Sequence, residues 1–284
     1  MMKLVAFVDG STYSKSVCEL AAWVAKRTGS QVDIVHVLGR NPATDKASDL
    51  SGSIGLGART ALLSELAELD GQMARLSHQR GRAILEDAKH ILVDQGITDV
   101  TTFLRNEGIV EATRNFETDA GLIVIGKRGE GSESNDEHLG SSLERVVRAS
   151  HKPVMVASRA LKPIQRVLIA FDGGTSALKA VNYLAQNPVF SDLDCLLLTV
   201  GSPKEAAKVQ LDEAAKALRA SGYKIETQVE NGQPEAVITE TIEKQNIDLL
   251  LMGAYGHSRI RSLIIGSTTT SMLSACKIPV LLFR

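Results

Sequence analysis

The chain has 284 residues, a formal net charge of −1, 44% hydrophobic and 23% charged residues. That length suggests about two globular domains, and the balanced charge excludes the strongly basic footprint of a nucleic-acid or anionic-membrane binder. No apolar run approaches the length that spans a bilayer, and the apolar start of "MMKLVAFVDGS" is too short for a secretory leader. A cytoplasmic location is therefore expected. Three cysteines, Cys18, Cys195 and Cys276, form no C-x-x-C pair and sit in apolar segments; buried free thiols are expected.

Taken in chain order, hydrophobic periodicity predicts strand Leu4–Val8, helix Ser14–Thr28 and strand Val32–Leu38. A long insert and a helix ending near Asp94 follow. Next come strand Val100–Leu104, a helix from about Val110 to Phe116, strand Leu122–Ile125, a glycine loop, helix Ser142–Ala149 and strand Val154–Ala157. Then the pattern starts again. Strands are predicted near Val167–Phe171, Cys195–Val200, Lys224–Val229, Leu249–Met252 and Val280–Phe283, with helices between. "LVAFVDGS" matches "VLIAFDGG", "GLIVIGKRG" matches "DLLLMGAYG", and "KPVMVAS" matches "IPVLLFR".

Alternating strands and helices mean βαβ units, and unbroken apolar strands mean a sheet covered on both faces. The expected fold is α/β: two tandem doubly wound domains, each a five-stranded parallel sheet flanked by helices, Rossmann-like in plan. The boundary falls in "SRALKPIQ", giving domains 1–159 and 160–284. The first carries the insert.

The segment "MGAYGHSRIRSLIIGSTTTSML" holds the chemistry. Gly253 and Gly256 leave room for a ligand against bare backbone. Gly266 opens a helix with Ser267 and Thr268 at its mouth, where unpaired N–H groups suit a phosphate. His257, Arg259 and Arg261 lie between, with no acid. Asp172, ending the first strand of its half, is an acceptor suited to an exocyclic amine, and backbone near Val200 is placed to read the rest of a base edge. The matching first-half positions are Asp9, Val37, Gly126, Gly129, Gly140, Ser141 and Ser142. Other readings stay open: the glycines as turn punctuation, and Asp9 and Asp172 as helix caps in competition with Ser11 and Thr175.

The spacing G-x2-G-x9-G-S, in a strand–loop–helix context repeated in both halves, resembles the universal stress protein family in its tandem form. The resemblance implies binding of ATP or a related adenine nucleotide, with Mg or Mn as the divalent ion, and a role in stress response. It implies that Asp172 faces the base, that Gly253 and Gly256 flank ribose and phosphates, and that Gly266, Ser267 and Thr268 hold the outer phosphates. It further implies that the two closing strands pair with each other within the chain. Whether tandem chains pair again as a homodimer stays open.

The first half departs from this pattern. Ten residues separate Gly129 from Gly140, and Glu130, Glu133, Asp136 and Glu137 fall among them. Each close acid repels a triphosphate by about 1 kcal/mol at water-like screening. The second half is therefore the main expected site, used as a nucleotide-dependent regulatory signal, with no dedicated enzyme activity. A slow ATPase or phosphotransferase, and a partner-binding scaffold with vestigial sites, are the alternatives.

Leu62, Leu66, Leu69, Met73 and Leu76 share one helical face. Packing on the chain's own sheet is its usual meaning, and a partner-binding helix the alternative. The preceding "SDLSGSIGLGARTA" reads as a flap near the first site or as a simple loop.

Overall fold

The computed structural model describes residues 2–39, 56–130, 139–187, 189–201, 205–254 and 267–284. The first half runs β1 (Lys3–Phe7), α1 (Tyr13–Thr28), β2 (Gln31–Val37), α2 (Leu56–Asp94), β3 (Val100–Arg105), α3 (Ile109–Glu117), β4 (Ala120–Gly126), α4 (Ser141–Ala149) and β5 (Val154–Ala157). The second runs β6 (Arg166–Ala170), α5 (Thr175–Gln186), β7 (Asp194–Val200), α6 (Glu205–Ala220), β8 (Lys224–Glu230), α7 (Pro234–Lys244), β9 (Leu249–Gly253), α8 (Ser267–Ala275) and β10 (Val280–Phe283).

The strands form one ten-stranded sheet, ordered β3-β2-β1-β4-β5-β10-β9-β6-β7-β8. Neighbours within each half are parallel. The closing strands β5 and β10 pair antiparallel, Leu281 opposite Met155, and fuse the two sheets. The same ladder geometry recurs on both sides of this junction. Pro153 and Pro279 carbonyls accept from Ile123 and Leu250 N–H, and Ala157 and Phe283 carbonyls accept from Lys127 and Ala254 N–H.

Unbroken apolar runs explain the layering. Leu4, Val124, Leu168 and Leu250 are fully buried, because helices cover both faces of the central strands. One face packs α1, α2, α5 and α6, the other α3, α4, α7 and α8, and each core runs through both halves. The edge strand β8 departs from the run pattern: in KIETQVE only Ile225 is buried, since this strand has a neighbour on one side only.

Side chains also cross the junction. Trp23 stacks on Phe190 with ring centroids 5.7 Å apart. Arg27 Nε donates to the Val189 carbonyl at 2.6 Å, and its guanidinium pairs with Asp192. Lys127 Nζ donates to the Ser274 and Cys276 carbonyls at 2.7 and 3.0 Å, and Arg284 Nη1 to the Arg148 carbonyl at 2.7 Å. Each half thus places a cation on the negative C-terminal end of a helix of the other, α8 and α4 respectively.

The three cysteines are free and buried. Burial pushes Cys18 and Cys195 up to about 12 and Cys276 up to about 11, so each stays a thiol at neutral pH. Among the described residues no helix is long and apolar enough to cross a membrane.

One expectation is overturned. The stripe on α2 does not pack on the sheet: exposure runs from 38% at Leu62 to 60% at Leu76. The helix has 39 residues, about 60 Å at 1.5 Å per residue. Among its described side chains it meets the core from Gly81 onward, through Leu85, Ala88 and Leu92, and residues 62–80 stay exposed. In the segment expected as a flap or loop, residues 56–61 belong to α2, and 48–55 lie outside the described residues.

Candidate functional site

Strand order reverses beside β1 and again beside β6. β1 has β2 on one side and β4 on the other; β6 has β7 and β9. Phe7 pairs with Ile125, and Ile169 with Leu251, so the tips carrying Asp9 and Gly126, and Asp172 and Gly253, lie side by side. The loops leaving such a switch point open a crevice at the carboxyl edge of the sheet.

In the first half that crevice has a volume of about 750 Å³. Asp9, Val37, Gly126, Gly129, Gly140 and Ser142 all line it. Ser141 begins α4 at its rim. The loop glycines let its rim pack closely. A Cβ on Gly129 would stand 2.6 Å from Asp9 Oδ2, and one on Gly140 would stand 3.2 Å from the Arg128 Cα and 3.3 Å from the Lys127 carbonyl oxygen. The loop closes on itself there, with Gly140 N–H donating to the Lys127 carbonyl at 3.3 Å.

Asp9 braces this arrangement. Its Oδ1 accepts from Ser11 N–H at 3.0 Å and Ser14 Oγ at 3.3 Å, and its Oδ2 accepts from Glu130 N–H at 3.1 Å. The carboxylate therefore ties the β1 tip to the glycine loop. Behind it, buried His36 holds β2 to β1, its Nδ1 bonding the Val8 carbonyl at 2.7 Å. That carbonyl can only accept, which places the proton on Nδ1.

Two helix N-termini border the crevice. Gly140 caps α4 and Gly108 caps α3, and neither helix start has a side-chain cap. Their first-turn N–H groups and the positive dipole end suit an anion. Three guanidinium groups, Arg114, Arg128 and Arg145, line the cavity against two carboxylates, Asp9 and Glu111. Buried Arg128 donates from Nη1 to Tyr13 Oη at 3.3 Å. Apolar walls come from Val37, Ile109 and Val110. The cavity thus combines apolar walls with cationic and backbone N–H donor groups, both of which a nucleotide requires.

Sequence reasoning missed Tyr13, Ser14, Gly108, Arg114, Arg128 and Arg145. Only Arg128 carried a local signal, since it lies inside the G-x2-G spacing. The loop acids also behave differently from a simple count. Glu130 pairs with Arg80 of α2, so its charge is countered; Glu133, Asp136 and Glu137 lie outside the described residues.

In the second half, Asp172 Oδ1 accepts from Gly174 N–H at 2.8 Å, a turn equivalent to that at Asp9. Val200 ends β7 half-buried and Gly253 ends β9. Thr269 Oγ1 donates to the Gly253 carbonyl at 3.1 Å, joining the start of α8 to the strand tip. Ser267 and half-buried Thr268 open α8. Gly256, His257, Arg259 and Gly266 lie outside the described residues. Among the described residues, no group of three or more His, Cys, Asp or Glu side chains gathers as a metal site.

The fold and the first crevice define a doubly wound α/β protein, its α/β unit repeated within one chain, with a crevice at the first switch point. The Universal stress protein family matches residues 1–158 and 196–284. The universal stress protein Slr1230 of Synechocystis sp. is 36% identical over 287 residues, covering all of both chains. The universal stress protein YxiE of Bacillus subtilis is 28% identical, with 97% of its length matching 54% of this chain. A crystal structure of a universal stress protein from Archaeoglobus fulgidus superposes with a TM-score of 0.74 at 20% identity, covering 99% of this chain and 98% of that one. The chain belongs to the universal stress protein family, in a tandem form.

Proposed function

We propose that this protein binds an adenine nucleotide, ATP or a close relative, and signals by its occupancy. One observation carries the reading: at the switch point the first-half crevice combines a tight glycine-tipped loop, two helix N-termini without side-chain caps and three guanidinium groups. Phosphates would sit against Gly129, Gly140, Ser142 and Arg128, and the base against the wall formed by Val37 and Ile109. The intact G-x2-G-x9-G-S spacing supports a second, equivalent site formed by Asp172, Gly253, Gly256, Gly266, Ser267 and Thr268. A bound Mg or Mn would neutralise phosphate charge in either place.

Signalling follows by linkage: a ligand that prefers one arrangement shifts the population toward it. Lys127 lies within the first glycine loop and holds the end of α8 in the other half, so loop ordering is felt across the junction. Asp9 is engaged by three donors, which favours binding over proton abstraction.

Titration calorimetry with ATP tests this reading. Wild type should give a saturable heat, and Gly140→Val should weaken first-half binding by at least about tenfold. Gly266→Val should do the same for the second half. Wild type giving no heat and no thermal shift with ATP, ADP or AMP would overturn the proposal. Mass spectrometry of co-purifying small molecules would identify the physiological ligand.

A further inference from the structure

Residues 62–80 of α2 stand clear of the sheet. Leu62, Leu66, Leu69, Met73 and Leu76 form a single exposed stripe along them, and Leu63 flanks it. Their spacing alternates four and three. A seam of this width and period is the a/d seam of a two-stranded coiled coil, narrower than the face a helix turns toward a globular core. A lone helix interrupted by Gly71 is marginal in water. The stripe therefore calls for another helix.

We propose that this helix is the same arm of a second copy of the chain, laid antiparallel. Two features select that occupant. Reversing the stripe about Gly71 sets Leu66 against Leu76 of the second copy, and Leu69 against Met73, so every inner layer is apolar on both sides. Charge is also divided along the arm: Glu65, Glu68 and Asp70 precede Gly71, whereas Arg75 follows it, and Arg80 already pairs with Glu130. Antiparallel pairing brings Glu68 of one copy level with Arg75 of the other, and parallel pairing would stack the acids like on like. The same acids oppose docking on an anionic lipid surface. The arrangement is two-fold and self-complementary, the closed symmetry common in soluble oligomers. Asp70 meets its own counterpart near the axis, which keeps the association reversible. None of this depends on nucleotide binding.

Sedimentation velocity of the full chain over a concentration series tests the proposal. The mass should rise from the 30.5 kDa of one chain toward twice that value. The double variant Leu69→Glu/Met73→Glu alters exposed positions only, so circular dichroism should be unchanged while association weakens by more than about 100-fold. Asp70→Cys and Ser77→Cys together report the direction of pairing: reversal about Gly71 keeps the two copies of position 70 close but sets those of position 77 about 18 Å apart along the arm, whereas parallel pairing keeps both at one level. Because the native cysteines are buried, mild oxidation should link two chains through position 70. A wild-type chain that stays monomeric into the high-micromolar range, or a dimer indifferent to the two glutamates, overturns the proposal. A dimer that the glutamates dissolve but that Asp70→Cys does not cross-link, or that Ser77→Cys cross-links as readily, overturns the antiparallel arrangement.

Discussion

The helix after the second strand has 39 residues in the first half and 16 in the second, yet both dock on the same face of the sheet. The docked portion of α2, from Gly81 to Asp94, is close in length to the whole of α6. The insert thus left the sheet order alone and lengthened an element outward, where no core contact opposed it. The strand tips, by contrast, match. Both halves set an Asx turn beside a glycine-tipped strand; in the first half Arg114, Arg128 and Arg145, drawn from three different segments, line the crevice beside it.

Whether the halves are separate folding units can be broken open at the junction. Leu281 is 1% exposed and faces Met155 across the antiparallel pair. Leu281→Asp would bury a charge in a core shared by both halves. It is expected to cost more than about 4 kcal/mol and to destabilise both halves in one transition. Urea denaturation followed by far-ultraviolet circular dichroism checks this, and two separated transitions would show that the halves fold independently.

A smaller pair of changes sharpens the equivalence of the two switch points. His36 bonds the Val8 carbonyl, and Thr199 Oγ1 donates to the Phe171 carbonyl at 2.9 Å, each just before the site aspartate. Different side chains serve one backbone position. His36→Val and Thr199→Val should each cost about 1–2 kcal/mol in thermal unfolding. A cost confined to one of them would mean that only one tip needs the brace.

The smallest effect concerns a feature of one half only. Glu117, at the end of α3, accepts from His151 N–H at 2.8 Å and lies 3.1 Å from its ring Nδ1; the matching end of α7 carries Lys244. Burial opposes ionisation of Glu117, but the bonds from His151 and Ser150 outweigh it and hold the carboxyl below its usual range. A carboxyl depressed in the folded state contributes stability above its unfolded value and loses it as pH falls through the folded value. Glu117→Gln should therefore cost about 1 kcal/mol at pH 7 and progressively less on acidification. Melting curves across that acidic range decide it; a cost independent of pH would assign the effect to packing.

Much of the fold was legible before any coordinates. Continuous runs such as "LIVI" and "LLLM" announced strands buried on both faces, and the repeated Asp-Gly, glycine-loop and Pro-Val segments announced two copies of one unit. These are local signals, set by side-chain period and backbone freedom. The stripe on α2 was misread for a matching reason. Its period shows which residues share a face, but what that face meets depends on how far the helix outruns the sheet.

By itself, then, the sequence determined the order of strands and helices, the doubling of the unit, and the glycines and aspartates at the strand tips, because each is written within a few neighbouring residues. Only the tertiary structure decided that Tyr13, Arg114, Arg128 and Arg145 converge on one crevice, that Arg80 answers Glu130, that Lys127 reaches α8, and that an apolar stripe is left bare. Those facts depend on distances between segments far apart in the chain, and packing of the whole sheet sets such distances.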